Sequence, residues 1–184
     1  MTTIASRANH RYYTGMYLGL GAITMFFAAF TSAYIVRKGI SNDWQTTIMP
    51  AVLWPNTLVL LTSSLVLEKA RRCIDNWNRF NLWWLIGSGL GLTFLVGQIW
   101  AWQQLVDQGV YINTNPSSSF FYLFTGAHGI HLLGGILALL YISWKVWNAK
   151  TATSKRTAVG VTVLYWHFMD GLWVYLFLFL LIWR

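Results

Sequence analysis

Charged side chains are scarce in this chain, and that scarcity sets its class. Only 10% of the 184 residues are charged, thirteen Lys or Arg against five Asp or Glu, where a soluble domain carries about 25%. Hydrophobic residues make up 56% and aromatics 17%, which places the chain among membrane proteins. The charges avoid the apolar runs, as expected when burying one in lipid costs about 2.5–3.5 kcal/mol. Cysteine is nearly missing too. Cys73 stands alone, which excludes an internal disulfide, a C-x-x-C redox pair and a cysteine-rich metal site. Linkers, repeats and low-complexity segments are absent, and the short connections leave no room for a soluble catalytic domain. The net charge of +8 is no nucleic-acid footprint, because the Lys and Arg are scattered over several loops without a basic stripe interleaved with aromatics. No nucleic-acid partner is expected.

What is present is length in apolar runs. Five of them, at about 13–36, 51–67, 82–106, 120–146 and 158–183, suffice or nearly suffice to cross about 30 Å of hydrocarbon as helices. The fold class is therefore all-α: a single membrane domain over 1–184, built as a polytopic bundle of five transmembrane helices. The second run is the shortest, and Pro55 is expected in its first turn or at a kink near its entrance. The first run is too long for a signal peptide and ends in Arg37-Lys38 without a cleavage site, so a span is expected there and no cleaved leader. Arg7, Arg11, Lys69, Arg71, Arg72, Arg79, Lys145, Lys150, Lys155 and Arg156 fall on one side, and Arg37, Lys38 and Arg184 on the other. The positive-inside rule then puts the N-terminus in the cytoplasm and the C-terminus outside.

Small residues indicate how such helices associate, since packing in lipid depends on close backbone approach. Gly15 and Gly19 make one G-x-x-x-G and Gly87 and Gly91 another, and both are read as packing within the bundle. Asn56, Thr57, Gln98, Gln103 and Gln104 are read as helix-packing or interfacial polar groups, and Glu68 and Lys69 as interfacial.

Asp170 is the most informative residue, because a carboxylate near the middle of the fifth helix needs a partner or a proton. His167 lies three residues earlier on the same face, and His128 and His131, again three apart, lie on the antiparallel fourth helix. Two readings apply to these four residues. One is a buried metal site or proton relay; the other is a structural cluster of interhelical hydrogen bonds. The second carries more weight, because only one acidic residue lies deep and the His pair alone cannot fill a coordination sphere. No catalytic, metal or cofactor ligand is assigned, and Asp170 is expected to be held by a polar partner within the bundle, with His131 and His167 the first candidates.

The fourth helix reads Phe121-Tyr122-Leu123-Phe124-Thr125-Gly126-Ala127-His128-Gly129-Ile130-His131-Leu132-Leu133-Gly134-Gly135, and the fifth reads Tyr165-Trp166-His167-Phe168-Met169-Asp170-Gly171-Leu172-Trp173. In this order the two resemble the last two helices of subunit III of haem-copper terminal oxidases. Gly15-Met16 with Phe26-Phe27, Asn56-Thr57 with Ser63-Ser64, and Phe94, Gln98 and Trp102 extend the resemblance over roughly Arg11 to Arg184. The chain looks like the short, five-helix form. The resemblance implies a non-redox accessory subunit of a proton-translocating cytochrome c oxidase in the inner membrane of a bacterium. Haem and copper would reside in partner subunits, with subunits I and II as neighbours and further subunits of a respiratory supercomplex as additional partners. The subunit would stabilise subunit I and support sustained turnover and proton uptake. Two departures stand out: Ile23 and Ala101 occupy positions where the family often carries membrane glutamates. Phospholipid is the one ligand expected on the chain itself, with Arg11, and Arg7 beside it, at the cytoplasmic headgroups.

Other readings remain open. A quinol oxidase or nitric oxide reductase assembly also uses the short form, and the sequence does not decide the electron donor. A small transporter should show broken helices or paired repeats, and none is evident. A haem or quinone anchor needs histidines on two facing helices at matched depth, which only His131 with His167 approach.

Overall fold

The structure is a computed structural model that describes residues 2–40, 42–46, 49–148 and 152–183, with side chains described from 12 onward except those of 145–148 and 152–154. The described residues form five α-helices: α1 (Thr2–Ile40), α2 (Leu53–Arg72), α3 (Trp77–Asp107), α4 (Pro116–Asn148) and α5 (Ala152–Ile182). Most run past the apolar stretches that mark them in the sequence. Helical hydrogen bonding does not stop where hydrophobicity does, so polar flanks such as Arg37-Lys38 and Lys155-Arg156 continue the helix.

The ends follow local chemistry. Pro55 is the third residue of α2, a first-turn position where its missing N–H costs no intrahelical bond. Asn76 caps α3 by accepting from the Arg79 N–H at 3.2 Å. At the other end of α3, Gly109 adopts φ +74°, and the N–H groups of Val110 and Gly109 return to Leu105 O and Val106 O, both at 2.9 Å. That left-handed closing residue is why glycine stands there. Pro116 opens α4, and Asn115 and Ser118 exchange side-chain-to-backbone hydrogen bonds of 2.9 and 3.2 Å across its first turn.

Among the described residues, length and composition make four helical segments able to cross a membrane: 12–40, 77–107, 116–144 and 155–182. The segment of α5 is half buried inside the bundle, that of α1 only 22%. α5 is therefore the hub, touching α1, α2 and α4. α2 does not qualify by composition, and its packing shows why. Asn56, Thr57, Ser63 and Ser64 are buried, whereas the outward side presents Trp54, Leu58, Leu61 and Leu65. Its polar residues lower its mean hydropathy while facing the protein interior.

α2 and α3 lie closest. Ser63 Oγ donates to Gly87 O at 2.8 Å and Asn56 Nδ2 to Phe94 O at 3.1 Å. A Cβ added at Gly87 would come within 2.7 Å of Leu67, and one at Gly91 within 2.6 Å of Trp166. The α3 glycine pair thus serves packing within the bundle. Trp84, Trp166 and Trp173 are fully buried, and Trp84 Nε1 donates to Ser143 Oγ at 2.8 Å, joining α3 to α4.

Candidate functional site

The four residues singled out in the sequence lie in the bundle, but they point to different neighbours. His131 Nδ1 hydrogen-bonds Ala127 O, one turn back on its own helix, at 2.7 Å. Its ring faces α1, with centroids 6.0 Å from Phe26 and 5.8 Å from Phe27. His128 is fully buried on another side of α4, 5.2 Å from the Trp173 ring and 6.4 Å from Phe94. Neither of its ring nitrogens has a hydrogen-bond partner among the described residues.

His167 turns to α2. Its Nδ1 shares a hydrogen bond with Ser64 Oγ, and its Nε2 lies 3.7 Å from Glu68 Oε2. Three residues in a helix turn about 300°, so His167 and Asp170 share a face. The lean of helical side chains toward the helix N-terminus carries the imidazole of His167 toward Glu68. Asp170 itself is 3% exposed. Neither of its carboxylate oxygens has a hydrogen-bond partner among the described residues. The expected pairing of Asp170 with His131 or His167 is therefore corrected. His131 is spent on Ala127 and α1, and His167 on Ser64 and Glu68.

Glu68 was legible only as an interfacial residue, and it is more than that. Just past Leu67, where the apolar run of α2 ends, its carboxylate accepts a forked pair of bonds from Arg71, both 2.7 Å, and one of 2.8 Å from Arg72 Nε. Arg71 foremost holds this carboxyl down at about 2. Ser64 was noticed only for its resemblance. The signal that finds both is their spacing, since residues 64 and 68 stack on one face of α2, opposite an antiparallel α5 that carries His167.

Other polar positions complete the interior. Gln98 Oε1 accepts from Asn56 Nδ2 at 3.1 Å, and Trp173 Nε1 donates to Thr57 Oγ1 at 3.0 Å. Trp102 Nε1 donates to Thr125 Oγ1 at 3.1 Å. Ala101 is fully buried in α3, and Ile23 packs partly buried against the core. An open apolar groove of about 400 Å³ runs between α1 and α5, floored by Phe27, Phe168 and Leu172. The side chains of Arg7 and Arg11 lie outside the described residues. Among the described residues, no three His, Cys, Asp or Glu converge as a metal site would need.

The sequence model of the cytochrome c oxidase subunit III family matches residues 15–184. A Thermostichus vulcanus protein named cytochrome c oxidase subunit 3 is 32% identical over 178 residues, covering 91% of this chain and 85% of the relative. A Mycobacterium tuberculosis protein named probable cytochrome c oxidase subunit 3 is 32% identical over 171 residues, with 89% and 83% covered. The subunit 3 of Bacillus sp. strain PS3 is 32% identical over 172 residues, with 90% and 82% covered. The match reaches all five helices, including the α4 and α5 motifs that supply the buried His and Asp. This chain belongs to the cytochrome c oxidase subunit III family and takes the subunit III place in a haem-copper oxidase, as a multi-pass membrane component of an oxidoreductase complex.

Proposed function

We propose that the chain is a non-catalytic subunit that stabilises the lateral face of the oxidase's catalytic subunit I, with subunit II as a further neighbour and the haem and copper centres held by those partners. The observation that carries this reading is the inverted polarity of the bundle. Buried polar side chains such as Asn56, Ser63, Gln98 and Asp170 face inward, and large apolar ones such as Leu18, Met25, Leu65 and Ile130 face outward. A surface of that kind suits lipid tails and an apolar partner face, not an aqueous substrate. α2 fits as the fifth span, because its 20 residues reach about 30 Å and its outward side is apolar. The excess of Lys and Arg on the side of the α2–α3 connection favours a cytoplasmic N-terminus, and a bacterial inner membrane is the matching location. The relatives' names favour cytochrome c over quinol as the electron source of the complex.

The oxidase prepared with and without this chain tests the reading. Haem and copper spectra and the initial rate of oxygen consumption should be largely retained without it, and inactivation over many turnovers should be faster. Immediate loss of activity together with a haem or copper signal would overturn the accessory role.

A further inference from the structure

α2 ends in a run with one carboxylate among three cations: Glu68, Lys69, Arg71 and Arg72. Glu68 is fully used, since Arg71 binds both of its oxygens and Arg72 Nε binds one. That bond anchors the Arg72 guanidinium and, among the described residues, leaves its two terminal nitrogens uncommitted on a side chain that is 75% exposed. Lys69 has no carboxylate partner among the described residues. Its Nζ lies 3.6 Å from the centre of the Trp83 ring on α3, a cation–π contact that holds the ammonium in place without neutralising it.

These two cations stand at the end of an apolar stripe. At about 100° per residue, Leu58, Leu65, Lys69 and Arg72 fall within about 60° of one another around α2, with the leucines between the two cations. Asn56 and Ser63, which bond to α3 carbonyls, lie on the opposite side of the helix. Leu58 is 64% exposed and Leu65 72%. The rise from Leu58 to Lys69 is about 16 Å, close to half of a hydrocarbon core of about 30 Å. One leaflet's depth of exposed leucine thus leads to two fixed positive charges, with the Trp83 indole beside them at the level where such rings sit in a membrane.

We propose that this stripe is a binding site for one anionic phospholipid, with Lys69 and Arg72 holding the headgroup phosphate and an acyl chain lying along Leu65 and Leu58. The charge selects the ligand. Glu68 is spent on the two arginines, so no carboxylate is left to receive the ammonium of a zwitterionic headgroup, and a net negative lipid is preferred. Trp83 and Glu68 hold the two cations before any lipid arrives, which lowers the ordering cost of binding. Lys155 offers a contrast at the same end of the bundle: it lies 5.5 Å over the Trp77 ring, but Val159 and Thr162 beneath it are buried and give an acyl chain no track. The inference rests on α2 as a membrane span and not on the stabilising role proposed above, so it can fail while that role stands.

Native mass spectrometry of the assembled oxidase in mild detergent, titrated with phosphatidylglycerol or phosphatidylcholine, tests the site by counting lipid on this subunit as it is released from the complex. The expected result is one phosphatidylglycerol whose affinity falls about fivefold in Lys69→Gln and again in Arg72→Gln. Lys69→Arg, which keeps the charge, should retain it, and Lys155→Gln should leave it unchanged. Phosphatidylcholine should bind the wild type and the variants alike. Undiminished phosphatidylglycerol on the double Gln variant overturns the proposal. So does an equal loss in Lys155→Gln, which would mean diffuse attraction to the basic end and no built site. Release of the subunit from the oxidase by the double variant, with its lipid count unchanged, would assign the cations to an acidic segment of a partner subunit and overturn the lipid reading as well.

Discussion

Gly87 and Gly91 of α3 take Leu67 and Trp166 into the space that a Cβ would fill, whereas Gly15 and Gly19 of α1 have, among the described residues, no packed neighbour within 4 Å of that space. The two pairs have the same spacing and opposite uses. Cross-helix polar anchors separate them. Beside the α3 pair, Ser63 and Asn56 of α2 donate to α3 carbonyls, and these bonds hold the backbones at a distance only glycine tolerates. α1 is tied to α5 mainly near its far end, where Tyr34 donates to Trp183 O at 3.0 Å and Tyr175 to Thr31 at 3.0 Å. A small-residue spacing therefore permits close approach, and a polar bond across the seam decides whether it happens.

The sharpest way to break the comparison is Gly91→Ala. The new methyl would stand 2.6 Å from the ring of Trp166, a fully buried side chain with no room to withdraw. Overpacking of this kind costs about 1–3 kcal/mol, so the yield of assembled oxidase and its thermal midpoint should both fall. Gly87→Ala should fall less, because the flexible end of Leu67 can swing aside. An unchanged midpoint for Gly91→Ala would mean that α2, α3 and α5 are not packed as described.

A smaller effect is expected from the bond that ties α2 to α5. Trp173→Phe keeps an aromatic ring but removes the Nε1–H that donates to Thr57 and leaves a small cavity where the rest of the indole stood. In membrane bundles such bonds average about 0.6 kcal/mol. Thr57 retains its bond to Leu53 O at 2.7 Å, so nothing is left unpaired on α2. Thr57→Val leaves the buried Trp173 Nε1–H without its acceptor and should cost about 1–3 kcal/mol, and the double variant should cost little more than Trp173→Phe alone in detergent unfolding. Fully additive losses would show that the two side chains do not meet.

Much of this architecture was legible because lipid imposes a simple demand. A run such as 120–146 must be helical to satisfy its own backbone, and Pro55, Asn76 and Pro116 mark helix starts by well-defined chemistry. What was not legible is direction around each helix. Depth can be counted at 1.5 Å per residue, which is why His131 and Asp170 looked like partners, but nothing in the spacing says that His131 faces Phe26 and Phe27 of α1. α2 was legible as the shortest run, but the way its polar side chains turn was not. Its Asn56, Thr57, Ser63 and Ser64 depress its hydropathy, and only the packing shows that they face inward. The link from Ser64 and Glu68 to His167 spans two helices brought side by side by tertiary structure, so no local pattern carries it.

The smallest expected effect lies on the other side of the opening comparison. Gly19→Ala adds a methyl where no packed neighbour among the described residues stands within 4 Å, and alanine is the better helix former by about 0.8–1.0 kcal/mol. Within a lipid-facing helix already held by its backbone bonds, the isolated chain in detergent should therefore be as stable as before or slightly more so. Gly15→Ala should behave the same way. Their use is to separate two roles for the open face of α1. If these glycines only face lipid tails, the assembled oxidase should also tolerate both methyls, with unchanged recovery of the subunit after mild detergent. A loss of the subunit from the complex, with the isolated chain unharmed, would show that a partner's helix approaches α1 as closely as α2 approaches α3.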